Sequence, residues 1–191
     1  MEQLSLIVET SSRHVHVSAE HLAALFGPDA ALTYIRELSQ PGQYLCEQRV
    51  DIVGPKRTLK NVAILGPVRP ATQVEISLTD ARTLGVDAPV RESGNVTGSG
   101  AIEIVGPCGS ISISEGVIAA KRHIHITPED AQKYGLKDKQ IVSVSIDGAR
   151  KTTFGETVLR VSPDFRTRMH IDTDESNAAG ISGEVTGVVI V

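Results

Sequence analysis

Tryptophan is absent from this chain of 191 residues, and Phe and Tyr together make up only 3% of it. A core without large rings must be assembled from Val, Ile, Leu and Ala, a composition that leans toward strands. Cysteine is scarce too. Cys46 and Cys108 stand far apart and form no C-x-x-C pair, which excludes a disulfide framework and a zinc ribbon and fits a reducing cytosol. Basic excess is lacking, with 19 Lys and Arg against 23 Asp and Glu and a net charge of -4. The basic face of a nucleic-acid-binding protein is therefore not expected. No apolar run approaches the length of a membrane span. The opening MEQLSLIVETSSR lacks the basic and apolar regions of a signal peptide. These absences predict a soluble cytoplasmic protein with no nucleic-acid or membrane partner. Its length allows one large domain or two small ones.

What the chain does have is a repeat. HVHVSAEHLAALFG (14–27) lines up with HIHITPEDAQKYG (123–135). Each reads as strand, Ser or Thr, acid, short apolar helix, Gly. Ser18 and Thr127 suit helix N-caps, Pro128 a first helical position, Gly27 and Gly135 helix stops. QVEISLTDARTLG (73–85) and RMHIDTDESNAAG (168–180) share the same grammar and align without gaps. In that alignment Glu75 falls opposite His170 and Asp80 opposite Glu175. Each half thus carries His-x-His early and one further metal-capable residue late: His14, His16 and Glu75, then His123, His125 and His170.

The stretches between are short Val- and Ile-rich runs broken by Gly and Pro. VDIVGPKRTLKNVAILG, AIEIVGPCGSISI and the run around Asp147-Gly148 read as hairpins, and GEVTGVVIV as a closing strand. The expected fold is mainly β: two small β-barrel domains from an internal duplication, capped by short α-helices. Polar, Gly-rich APVRESGNVTGSG (88–100) places the boundary between a first repeat, 1–90, and a second, 91–191. Strands are free to be exchanged between the barrels. The first half has extra residues around Leu32–Cys46, helical by pattern in ALTYIREL.

Residues i and i+2 of a strand share a face. His14 and His16 then lie about 6–7 Å apart at Cα and can lean onto one ion at about 2.0–2.1 Å each. A third ligand from another strand leaves a position open, as catalytic metals require. Zinc is the default for such sets, with other divalent transition metals compatible. Arg69, six positions before Glu75, is suited to gripping phosphate bidentately. Arg13 and Arg122 precede the two His pairs and face the other way, which predicts structural ion pairs. His21 has no counterpart in the second half and reads as a surface or packing residue. Cys108 has no partner base in the sequence and reads as a turn-lining or buried thiol.

Together SSRHVHVS, GPVRPATQVEIS, GPCGS, AAKRHIHITPEDA and the RMHID segment resemble the PduL-type phosphotransacylases, also called phosphate propanoyltransferases. The resemblance implies a metal-dependent enzyme that interconverts a short-chain acyl-CoA plus phosphate with an acyl phosphate plus CoA. It implies two β-barrels and two zinc ions between them, one on His14, His16 and Glu75, the other on His123, His125 and His170. It makes Arg69 the phosphate-contacting arginine and places Asn177 near the CoA site. Many family members carry an N-terminal helix for microcompartment targeting; here His14 arrives too soon for one, which favours free cytosolic operation on propanoyl- or acetyl-CoA. A homo-oligomer is compatible with exposed strand edges. The rival reading is a cupin-like metal-dependent oxygenase or isomerase, because 14–27 fits H-x-H-x3-E-x6-G with Glu20 as the carboxylate.

Overall fold

The computed structural model describes residues 3–191. Along the chain run β1 (Ser5–Thr10), β2 (His14–His16), α1 (Ala19–Phe26), β3 (Tyr34–Glu37), β4 (Tyr44–Val53), β5 (Thr58–Gly66), β6 (Gln73–Glu75), α2 (Leu78–Leu84) and β7 (Val90–Arg91). There follow β8 (Gly100–Val105), β9 (Ser110–Ala120), β10 (His123–Ile126), α3 (Pro128–Tyr134), β11 (Ile141–Ile146), β12 (Thr152–Val161), β13 (Arg168–Ile171), α4 (Thr173–Ala179) and β14 (Val185–Ile190).

Local chemistry sets these elements. In β11 the sequence IVSVSI alternates, and Val142, Val144 and Ile146 are buried while the serines between them are not. All four helices start on a side-chain cap: Ser18, Ser77, Thr127 and Asp172 each accept a hydrogen bond from the backbone N–H three residues on. α2, α3 and α4 stop at Gly85, Gly135 and Gly180 in the left-handed conformation that glycine adopts without strain. α4 adds a capping box between Asp172 and Glu175.

The backbone falls into two compact units. One comprises Arg13–Leu38 and Gly42–Ala120, the other the described residues up to Ser12 together with Ser39–Pro41 and Lys121–Val191. In the first, β4, β5, β2, β6, β9 and β8 form a ring that β8 closes by pairing β4, with β3 and β7 outside it. In the second, β1, β13, β10, β12, β11 and β14 form a closed barrel. The pairings correspond throughout. β2 is parallel to β5 and antiparallel to β6, as β10 is to β12 and β13. β6 is parallel to β9 as β13 is to β1. Each barrel has its own core. Leu25, Ile52, Ile64, Leu84 and Ile104 are fully buried in one, and Ile124, Ile126, Leu159, Met169 and Ile171 in the other.

Two sequence expectations are corrected. The contacts do not divide at 90/91. β1 precedes the first His pair yet pairs β13 and β14, and β9 precedes the second His pair yet pairs β6 and β8. Each barrel is closed by the strand that leads into the other barrel's His pair, and the Gly-rich stretch stays within the first unit, where Gly100 sits against Asp87. ALTYIREL is not a helix either. Tyr34–Glu37 is an exposed strand whose backbone pairs with β4, and ladder hydrogen bonds with that neighbour outweigh a helical pattern only two turns long.

Ile124→Ala should lower stability by about 2–5 kcal/mol, because the cavity lies in a closed core. At Gly100 an added Cβ would lie 1.9 Å from the Asp87 carbonyl oxygen, so Gly100→Ala should cost about 1–3 kcal/mol or more through overpacking. Urea unfolding followed by circular dichroism checks both.

Candidate metal centres

β2 projects Val15 into the core and presents His14 and His16 on the opposite face. Antiparallel pairing sets Glu75 opposite His14 and Gln73 opposite His16. All four are buried. His14 Nε2 lies 3.6 Å from Glu75 Oε2, and His16 Nε2 4.0 Å from Glu75 Oε1. His16 Nδ1 faces the Leu65 carbonyl at 3.2 Å. A carbonyl only accepts, so Nδ1 carries the hydrogen and Nε2 keeps a lone pair for a metal.

The Glu75 carboxylate is held from behind. Its Oε1 accepts hydrogen bonds from Gln73 Nε2 at 2.5 Å and Ser93 Oγ at 2.7 Å. Arg69 Nη1 donates to Ser93 Oγ at 3.3 Å, and Gln73 Oε1 accepts from the Gly94 N–H at 2.8 Å. Burial would raise the Glu75 pKa, but the charges of His14 and His16 and the Ser93 hydrogen bond outweigh it and hold the carboxyl well below its usual range. Burial, then His14 and Arg69, push His16 down to about 3. At neutral pH Glu75 is a carboxylate and His16 a neutral imidazole, the protonation states that metal binding requires.

The second set is built the same way. β10 carries His123 and His125, and β13 sets His170 opposite His123. The three rings stand edge to face, with centroids 4.7 to 5.3 Å apart. His123 Nδ1 faces the Lys121 carbonyl at 2.8 Å, which leaves Nε2 as the lone pair, 3.0 Å from His125 Nε2. His125 Nδ1 is buried without a hydrogen-bond partner. Burial, then the charges of His123, His170 and Arg160, push His125 down to about 2. Glu9 on β1 approaches this group: its Oε2 lies 3.2 Å from His170 Nε2, and its Oε1 lies 3.3 Å from Arg168 Nε. Ser39 Oγ is 3.4 Å from His170 Nε2. Burial opposes ionisation of Glu9, and hydrogen bonds from His170 and Ser39 reverse that and lower its pKa.

In each set the donor atoms lie within 4.8 Å of one another. Convergent ring nitrogens and imidazole–carboxylate chemistry fit a divalent transition metal. The two arginines before the His pairs do what their direction predicts. Arg13 pairs with Asp80 at 3.0 Å and Arg122 with Glu175 at 2.6 Å, tying α2 and α4 to the strands that carry the histidines.

Other sequence candidates stand elsewhere. Glu20 is exposed on α1 and joins neither group, so the cupin pattern is spelled but not assembled: a helix carries the glutamate away from the His pair. His21 is half-buried, its Nδ1 2.7 Å from Thr72 Oγ1. Cys108 is exposed in the Gly106–Gly109 turn rather than buried. Asn177 is exposed on α4, outside both groups. Sequence reading missed Gln73 and Ser93. Gln73 was findable, two residues before Glu75 on one strand and so on the same face; Ser93 sits in the Gly-rich stretch, where no periodicity marks it.

The family described as phosphate propanoyltransferase matches residues 7–182. Over 183 residues the chain is 53% identical to a phosphate propanoyltransferase of Listeria monocytogenes, covering 96% of this chain and 86% of that protein. It is 47% identical over 189 residues to one of Enterococcus faecalis, covering 99% and 90%. To one of Thermotoga maritima it is 51% identical over 186 residues, covering 96% and 89%.

Glu75→Gln should lower the bound metal by one ion per chain and Glu20→Gln should not, as elemental analysis after desalting will show. Acid should unfold the metal-free protein early. In the unfolded chain imidazole takes its proton near 6.5, whereas His16 and His125 stay neutral until about 3 and about 2. Below pH 6.5 the unfolded state therefore binds more protons, and stability falls as pH drops. Glu75 adds to the loss below its ordinary value of 4.5. Melting temperatures of chelated protein should be flat just above pH 6.5 and decline steadily below it.

Proposed function

The chain belongs to the phosphate propanoyltransferase family and is a phosphate acyltransferase, for which we propose the following roles. His14, His16 and Glu75 hold one zinc ion, and His123, His125 and His170 hold a second. Zinc suits both donor sets. Such ions supply Lewis acidity to a thioester carbonyl oxygen and to a thiolate leaving group.

Arg69 grips the phosphate. The observation that carries this role is the run of contacts from Arg69 Nη1 to Ser93 Oγ and on to Glu75 Oε1, at 3.3 and 2.7 Å. It supports a fixed guanidinium beside the metal carboxylate, able to take two phosphate oxygens in parallel. Ser93 and Gln73 anchor one oxygen of Glu75, so that carboxylate does not swing onto the arginine. A phosphate oxygen attacks the carbonyl carbon of the acyl-CoA, the carbon–sulfur bond breaks, and CoA leaves as thiolate while the acyl phosphate forms. Fixed positive charge beside the developing oxyanion lowers that barrier. No side chain needs to carry the acyl group, and Cys108, exposed in its turn, is not used. Asn177 contributes to CoA binding. The acyl group is propanoyl or acetyl. No helix among the described residues is long and apolar enough to cross a membrane, and operation in the cytoplasm belongs to the same proposal.

The test is release of free thiol from acetyl-CoA and propanoyl-CoA, with and without phosphate, before and after chelation and zinc return. Release that requires both phosphate and metal supports the transferase, and the ratio of rates names the acyl group. Release without phosphate, or trapping of an acylated residue, overturns direct phosphate attack. Arg69→Ala should lower kcat/KM for phosphate by about 10²–10³, the scale of losing one fixed donor to developing charge. It should leave bound metal unchanged.

A further inference from the structure

Glu9 pairs in register with His170, and His170 in turn with His123. Directly paired residues of neighbouring strands project together, so β1, β13 and β10 bring Glu9, His170 and His123 into one row. The corresponding row of the other barrel is Ile118, Glu75 and His14. Both barrels therefore hold a carboxylate in this row. In the first it stands on the strand paired to the His pair. In the second that position has become His170, and the carboxylate stands one strand further out, where the first barrel has isoleucine.

Distance and charge agree with this displacement. Two donors about 2.0–2.1 Å from a tetrahedral ion stand about 3.3 Å from each other. Glu9 Oε2 and His170 Nε2 are 3.2 Å apart, and His123 Nε2 and His125 Nε2 are 3.0 Å apart. Arg168 occupies the other oxygen of Glu9, which leaves Oε2 turned to His170. Three neutral imidazoles would leave both charges of a divalent ion uncompensated among half-buried groups, a costly arrangement that one carboxylate halves.

We propose that Glu9 is a fourth donor of the second metal site, beside His123, His125 and His170. The assignment rests on that triad holding an ion. A three-His, one-Glu set fills a tetrahedral ion, whereas the first set leaves a position open. The second ion is then the more tightly held, and the first is the more accessible to substrate.

Metal binding tests this without recourse to activity. In a Glu75→Gln background that empties the first site, cobalt(II) is titrated against a chromophoric chelator and its visible absorption recorded, with melting of the metal-free protein as the check on folding. Glu9→Gln should weaken cobalt binding by about 100-fold or more, beyond the 10- to 100-fold typical of losing a group that only orients a ligand, and should shift the absorption band. Arg168→Gln, which removes the ion pair but spares the carboxylate, should leave affinity within a few-fold. Unchanged affinity in Glu9→Gln overturns the proposal. So does weaker binding with an unshifted band, which would put Glu9 outside the coordination shell, or an equal loss in Arg168→Gln, which would make Glu9 a strand anchor. His125→Ala should abolish cobalt binding in this background. If it does not, the triad itself is misread, and the role of Glu9 falls with it.

Discussion

Everything in each candidate metal centre depends on one antiparallel register. His14 meets Glu75 across β2 and β6, and His123 meets His170 across β10 and β13. A slip of one residue would turn Val74 or Met169 toward the histidines and send Glu75 or His170 into the apolar core. The register is fixed from both sides. Val15 and Ile124 must stay buried, and Arg13–Asp80 and Arg122–Glu175 lock the helix after each late strand to the start of each His strand. A misregistered sheet would therefore lose core burial and a partly buried ion pair along with the site.

The same constraint explains how much could be read before the fold was known. Both His pairs, their third partners and the structural role of Arg13 and Arg122 were legible because duplication repeated them at matching offsets, and because alternation along a strand assigns faces from spacing alone; the partners of the arginines, Asp80 and Glu175, were not named by it. Hairpins at Gly-Pro and Asp-Gly turns and the helix caps were legible because their determinants lie within four residues. That strands could be exchanged was foreseen, but not that β1 and β9 are the ones, since no local signal says which barrel a strand will join. β3 was misread as helix for a related reason: its partner β4 decides its conformation. Ser93 and Glu9 escaped because each reaches its site through pairing or looping over distance, and neither has a counterpart of its own type in the other repeat.

Equal architecture has not meant equal chemistry. One centre joins two imidazoles to a carboxylate that Gln73 and Ser93 steady; the other places three imidazoles together, with Glu9 alongside. Arg69 stands near the first set, and its charge is felt at His16. Burial keeps His16 neutral in one and His125 in the other, the protonation state in which imidazole takes a metal. The duplication thus supplied a frame, and substitution at a few positions of one row divided the duties.

Strand exchange has a consequence for how the chain is made. The barrel holding His14 cannot close until residues through Ala120 have emerged from the ribosome. β1 must wait longer, because β13 begins at Arg168; at about 5–20 residues per second the delay is roughly ten to thirty seconds. During that time an apolar strand with open edges has no partner in its own repeat. Pairing across such separations is slow, and the waiting strand is open to capture by another nascent copy. The connection that knits the repeats into one molecule is thus also its point of greatest exposure during synthesis.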